Sequence, residues 1–203
     1  HHRELRAAPV CMTLVGEGLA ALRGCLRIVR GDPHWFDDFN ITVEGFWRSF
    51  VVIIPQAIMA WPHFISLNRQ FADYATQQNL EAPATSLARD YLFLVAFLVL
   101  WPAVAAILTR VLGVGTHYAR YIIVYNWMSL PVMAIALVPS LLYLAQMINF
   151  EAAAFSGLPI LGVGLTLSWI VARRALETTA VVAVAFALAD YALTQGLVLL
   201  IGV

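Results

Sequence analysis

Lysine is absent from this chain: its twelve basic residues are all arginines, matched by twelve acidic ones. Charge of either sign is scarce, at 12% of residues, and the net charge is zero. A nucleic-acid partner requires a basic surplus to meet phosphates, and none exists. Cysteine is nearly missing too. Cys11 and Cys25 both lie in the N-terminal segment, with no CxxC and no Cys/His cluster. Neither a disulfide framework nor a metal site is indicated, and no cofactor is called for. A nucleophile–base constellation, a P-loop, a dinucleotide fingerprint and an HExxH are all lacking, so the expectation is a protein that is not an enzyme. Period-two alternation is absent as well, which excludes a membrane β-barrel.

What remains is apolar. Hydrophobic residues make up 62% of the 203, with a mean hydropathy of +0.81, against less than half in soluble domains. Five stretches reach the roughly 20 residues needed to cross a bilayer: about Phe46 to Ile65, Tyr91 to Leu108, Tyr121 to Gln146, Ala152 to Ala172 and Thr178 to Val203. The expected fold is an all-α integral membrane protein, with residues 1–45 a cytoplasmic or interfacial segment and residues 46–203 a five-helix bundle. Residues 1–11 read as tag, leader or upstream read-through, with Met12 a candidate start. Three arginines and no apolar block in residues 12–31 speak against a cleavable signal peptide.

Arginine placement sets the orientation. With the N-terminus inside, Arg3, Arg6, Arg23, Arg27, Arg30, Arg48, Arg110, Arg120, Arg173 and Arg174 are cytoplasmic, and only Arg69 and Arg89 lie outside. This predicts an N-in, C-out protein of a bacterial inner membrane. Ahead of the first span, Val15, Leu19, Leu22, Leu26 and Val29 recur at helical spacing. Arg23, Arg27 and Arg30 stand beside that stripe, placed to meet lipid phosphates. The alternative is a cytosolic helix packed on the bundle or on a partner subunit, and Gly16, Gly18 and Gly24 weaken the helix in either case. Asp32-Pro33 ends it, and Thr42 caps the next. Residues 66–90 read as the only sizeable loop, with Ala82-Pro83 as punctuation and Ser86 a helix cap.

A carboxylate at mid-membrane costs ~3 kcal/mol, so it needs a partner or a task. Asp190 lies near the middle of the fifth span, and Ala183 and Ala187 share its face, which lets a neighbouring helix approach. Asn126 and Gln56 lie at similar depths in the third and first spans, and Tyr125 and Tyr191 add hydroxyls. The expected site is a polar cluster of Gln56, Asn126, Asp190 and Tyr191. Its bland role is to bind helices together; its sharp one is a proton or substrate path. Gly157, Gly164 and Ser168 form a small-residue stripe on the fourth span, read as close helix packing, with a ligand groove as the rival. Pro102, Pro131 and Pro139 are expected to bend their helices. His63, near the outer end of the first span, reads as solvated at the interface rather than as a pigment ligand.

At "FNITVEGFWRSF" (39–50) and "YIIVYNWMSLP" (121–131) the sequence resembles small, uncharacterised five-span bacterial membrane proteins and, more remotely, the Yip1-domain family. The resemblance covers roughly residues 35–203. It implies an organising or scaffolding role and supplies no catalytic residues. The Asp-Leu-Tyr-Gly-Pro motif of eukaryotic members is absent, and with it the basis for a GTPase-partner role. The function expected is that of a non-enzymatic structural, assembly or accessory component, a subunit of a larger membrane complex with lipid around it. The rival is a small transporter or channel component that uses Asp190.

Overall fold

The computed structural model describes residues 13–81 and 84–202. Cys11, Met12, Arg3, Arg6 and the Ala82-Pro83 pair therefore lie outside the described residues. Within them the chain forms seven α-helices: α1 (Leu14–Arg30), α2 (Val43–Ser49), α3 (Ile53–Gln77), α4 (Leu87–Val111), α5 (Tyr118–Leu144), α6 (Phe150–Ala175) and α7 (Ala180–Ile201). Five helical runs are long and apolar enough to cross a membrane, and α2 continues through a 3-10 turn into the first of them, Val43–Gln77. Helix α5 is central. It packs against α3, α6, α2 and α1, while α7 closes the bundle between α6 and α4.

Local chemistry explains the boundaries. Thr13, Thr42, Asn149 and Thr179 each accept a backbone N–H at a helix start, satisfying a donor that the helix leaves open. Glu44, in the first turn of α2, pairs with Arg48 one turn on. Helix α1 ends at Gly31, whose φ of 84° is a left-handed conformation open to glycine at little cost. Ser86 occupies the cap position of α4 but offers only its backbone carbonyl, to Arg89 and Asp90.

Two expectations change. The loop expected at 66–90 is mostly helix, because α3 runs on to Gln77. Its polar extension is held by side-chain contacts: Gln70 donates to Ser66 at 3.1 Å, Tyr143 donates to Asp73, and the Arg69 guanidinium lies 5.6 Å from the Tyr143 ring centre. A left-handed Asn79 then terminates it. The glycines of α1 also serve a purpose that helix propensity misses. A Cβ on Gly24 would stand 2.4 Å from the Phe39 ring, and one on Gly18 would lie 3.3 Å from Trp127. Helix α1 thus docks on the bundle through Ala20, Ala21, Gly24, Cys25 and Ile28. Its large residues Val15, Leu19, Leu26 and Val29 point outward, away from that contact.

Glu17, buried on the docked face of α1, accepts from Arg48 at 3.1 Å and ties α1 to α2. The main core lies at this end of the bundle, built from Trp35, Phe39, Val52, Trp101, Tyr121, Val171 and Phe186 among others.

Candidate functional site

Intramembrane polar side chains gather on the faces that α3, α5, α6 and α7 turn toward one another. On the α3 side, the buried Asn126 amide donates to Ser49 Oγ at 2.9 Å. Gln56 donates to Ser129 Oγ, and Ser129 in turn donates to the Asn126 carbonyl, each at 2.5 Å. On the α6–α7 side, the Tyr125 hydroxyl donates to Asp190 Oδ1 and Ser168 Oγ to Oδ2, both at 2.9 Å. Asp190 lies ten residues into α7, or ~15 Å at 1.5 Å per residue. Its carboxylate therefore sits deep in the bundle with both oxygens engaged.

The structure thus divides the expected cluster in two. Gln56 and Asn126 belong to one network and Asp190 to the other, with no hydrogen bond between the two among the described residues and with Tyr125 and Asn126 adjacent on α5. Tyr191 makes no hydrogen bond among the described residues and is exposed. It follows Asp190 directly and lines the same groove as Asp190 and Gln56. Ser49 and Ser129, which complete the first network, carry no signal in the sequence, since hydroxyls are common in apolar helices. Trp101 Nε1 and the Tyr121 hydroxyl, on rings centred 6.4 Å apart, are buried beside this region without a well-formed hydrogen bond.

Both networks face one groove of about 390 Å³, lined by Gln56, His63, Tyr125, Ser129, Ser168, Asp190, Thr194 and Gln195 together with apolar side chains. Gly164 lines it too. A Cβ at Gly157 or at Gly164 would meet nothing within 4 Å, so these glycines are not close-packing positions. The N-terminal half of α6 stands away from its neighbours there. Ser168, by contrast, is buried on Asp190, and Ala183 and Ala187 are buried in the helix contacts of α7. His63 is half-buried, with its Nδ1 2.8 Å from Ser140 Oγ on α5. It also lines a second cavity of about 410 Å³ with Asn68, Arg89 and Asp90, where Asn68 donates to Asp90 at 3.0 Å.

Among the membrane-surface arginines, Arg27 pairs with Asp38 at 3.1 Å and Asp32 at 3.6 Å. Arg23 and Arg30 are exposed on α1. At the same end, Arg120 Nε donates to the Ala175 carbonyl at 2.6 Å and Nη1 to Glu177 at 2.8 Å. That places a cation at the negative end of α6. The guanidinium holds the exposed Glu177 carboxyl below its ordinary range, with His117 adding a smaller push.

Chemically, the groove offers one carboxylate with two hydroxyl donors, an imidazole and the amides of Gln56 and Gln195 within an apolar wall. Such a set suits an amphipathic ligand or a proton. Comparison with family models, curated proteins and solved structures returns no match for this chain.

Proposed function

We propose that this chain is a non-enzymatic structural, assembly or accessory component of a bacterial inner membrane, working as a subunit of a larger complex. The observation that carries the reading is how the intramembrane polar groups are used. Asn126 is joined to Ser49, Gln56 to Ser129, and Asp190 to Tyr125 and Ser168. Each link ties α5 or α7 to a different helical segment, and such links hold helices together in a solvent that gives them no hydrophobic drive. The organising role implied by the Yip1-like resemblance agrees with this.

In the same proposal the orientation is N-in, C-out, because eight of the ten described arginines fall at the α1 end and only Arg69 and Arg89 at the other. Helix α1 then lies on the cytoplasmic leaflet, its outward Val15, Leu19, Leu26 and Val29 meeting acyl chains and Arg23 and Arg30 meeting headgroups. Purification from native membranes in mild detergent tests the role. A second polypeptide in fixed stoichiometry is the expected result, and a strictly monomeric particle overturns it.

One observation favours a second reading, a small transporter or channel component. Asp190 and Gln56 share a groove with His63, which also lines the cavity at the opposite end. Flux in proteoliposomes separates the two readings: loss of a pH-dependent flux in Asp190→Asn supports transport, and a D190N protein of unchanged function supports the structural role.

A further inference from the structure

A third cavity, of about 600 Å³, opens at the α1 end between the C-terminus of α6, the start of α5 and the turn after α1. Its wall combines Arg120, Arg173 and Arg174 with Trp35, Phe36 and Trp169. We propose that this cavity binds the headgroup of an anionic phospholipid. The inference rests on the membrane-spanning arrangement and is independent of the assembly and transport readings.

Charge is the first argument. Three guanidinium groups face one lining carboxylate, Glu177, leaving an excess of two positive charges. Of the acids in the adjoining turn, Asp32 and Asp38 both pair with Arg27, and none of Asp32, Asp37 and Asp38 lines the cavity. Glu177 itself is held by Arg120 and His117. Arg120 is the deepest of the three arginines. Its Nε and Nη1 are used, but Nη2 is buried without a hydrogen-bond partner. Arg173 and Arg174 line the cavity as well, and a phosphate oxygen offers their guanidinium groups a charged acceptor.

Shape and position give the second argument. Arg173 lies over the Trp169 ring, 5.4 Å from its centre, and this stacking orients the guanidinium. Arg174 reaches back toward Gly31, where an added Cβ would come within 3.3 Å of its Nη2. The arginines thus stand at the ends of two membrane-crossing helices, with Trp35, Phe36 and Trp169 among them. Tryptophan and tyrosine favour the headgroup level of a bilayer, and basic pockets between spanning helices at this depth suit acidic headgroups. A lipid meets both demands at once, its phosphate on the arginines and its glycerol and upper acyl chains on the aromatic rings. Free phosphate meets only the first.

The test uses the full chain in nanodiscs of phosphatidylcholine with or without phosphatidylglycerol, with retained lipid counted by native mass spectrometry. Wild type is expected to keep phosphatidylglycerol in preference to phosphatidylcholine. Arg173→Gln and Arg174→Gln are each expected to lower that retention about fivefold, and the pair more steeply. Arg110→Gln, which removes the same charge at the same end but outside the cavity, is expected to change nothing. Equal retention across all variants, or an equal loss in R110Q, overturns the site. Added inorganic phosphate and glycerol phosphate are expected not to displace the lipid; displacement by either makes free phosphate the ligand and overturns the assignment to lipid. If the double variant fails to fold, the two single variants decide, and a wild type without preference for phosphatidylglycerol overturns the proposal by itself.

Discussion

The Asn126 side-chain amide donates to Ser49 Oγ at 2.9 Å, with both side chains buried and 77 positions apart in the sequence. This bond fixes α5 against the junction of α2 and α3. Ser49 also donates to the Phe46 carbonyl at 2.7 Å, so its hydroxyl serves as donor and acceptor together. A double-mutant cycle with Ser49→Ala and Asn126→Ala, followed by unfolding in mild detergent, is expected to give a coupling energy of about 0.6 kcal/mol, the usual size for an interhelical bond in a membrane. A coupling of zero would mean that the contact does not hold these helices together.

Asp190 answers to two donors, Tyr125 and Ser168. An asparagine retains one acceptor oxygen, whereas leucine leaves the Tyr125 hydroxyl without a partner inside the bundle. Asp190→Asn is therefore expected to fold and melt close to wild type. Asp190→Leu is expected to lose about 1–3 kcal/mol, the cost of a buried unsatisfied group. Thermal unfolding in matched detergent compares the two, and equal melting points would remove Tyr125 and Ser168 from the argument.

Glycines at two kinds of position should respond in opposite directions. An added Cβ at Gly164 meets nothing within 4 Å, and Gly164→Ala is expected to stabilise by up to ~1 kcal/mol through helix propensity. At Gly24 the same methyl collides with Phe39, and overpacking of this kind costs about 1–3 kcal/mol. Loosening of α1 in Gly24→Ala, read as faster proteolysis near Arg23 and Arg27, is the expected signature.

Cys25 is 3% exposed, and burial pushes its thiol up to about 12. Thiolate is the reactive form, so folded protein should resist maleimide at neutral pH. In a Cys11→Ser background, labelling is expected only after denaturation. Rapid labelling of the folded chain would show that α1 leaves the bundle readily.

The Glu177 carboxyl is held below its ordinary range by Arg120. A lowered folded-state pKa contributes stability above the unfolded-state value, and that contribution fades as pH falls through the folded-state value. Wild type should therefore lose stability on acidification below the ordinary glutamate range, and Glu177→Gln should show a shallower decline there. Parallel acid limbs in pH-dependent melting curves would refute the linkage.

The number of spans was legible because oil demands long apolar runs, and nothing else in a sequence produces five of them. The length of α3 was not. Residues 66–77 carry ordinary polar side chains, and their helix is held by Tyr143 and by Arg69 in tertiary contact. Asp190 and Asn126 stood out because an acid and an amide are conspicuous among valines and leucines. Their partner Ser49 did not, and Ser168 stood out only as a small packing residue, since a serine in an apolar helix satisfies itself on the preceding turn as readily as it reaches a neighbour. Tyr191 shares the groove with Asp190 but forms no hydrogen bond among the described residues, since its hydroxyl meets no partner there.

The run Val43–Gln77 is 35 residues long, or ~52 Å at helical rise, against a hydrocarbon thickness of about 30 Å. The run is longer than that thickness requires, so its polar last turns, with Asn68, Arg69 and Asp73, are expected to stand outside the hydrocarbon. An epitope or spectroscopic probe grafted beyond Gln77 would ride above the bilayer, within reach of reagents that never enter it.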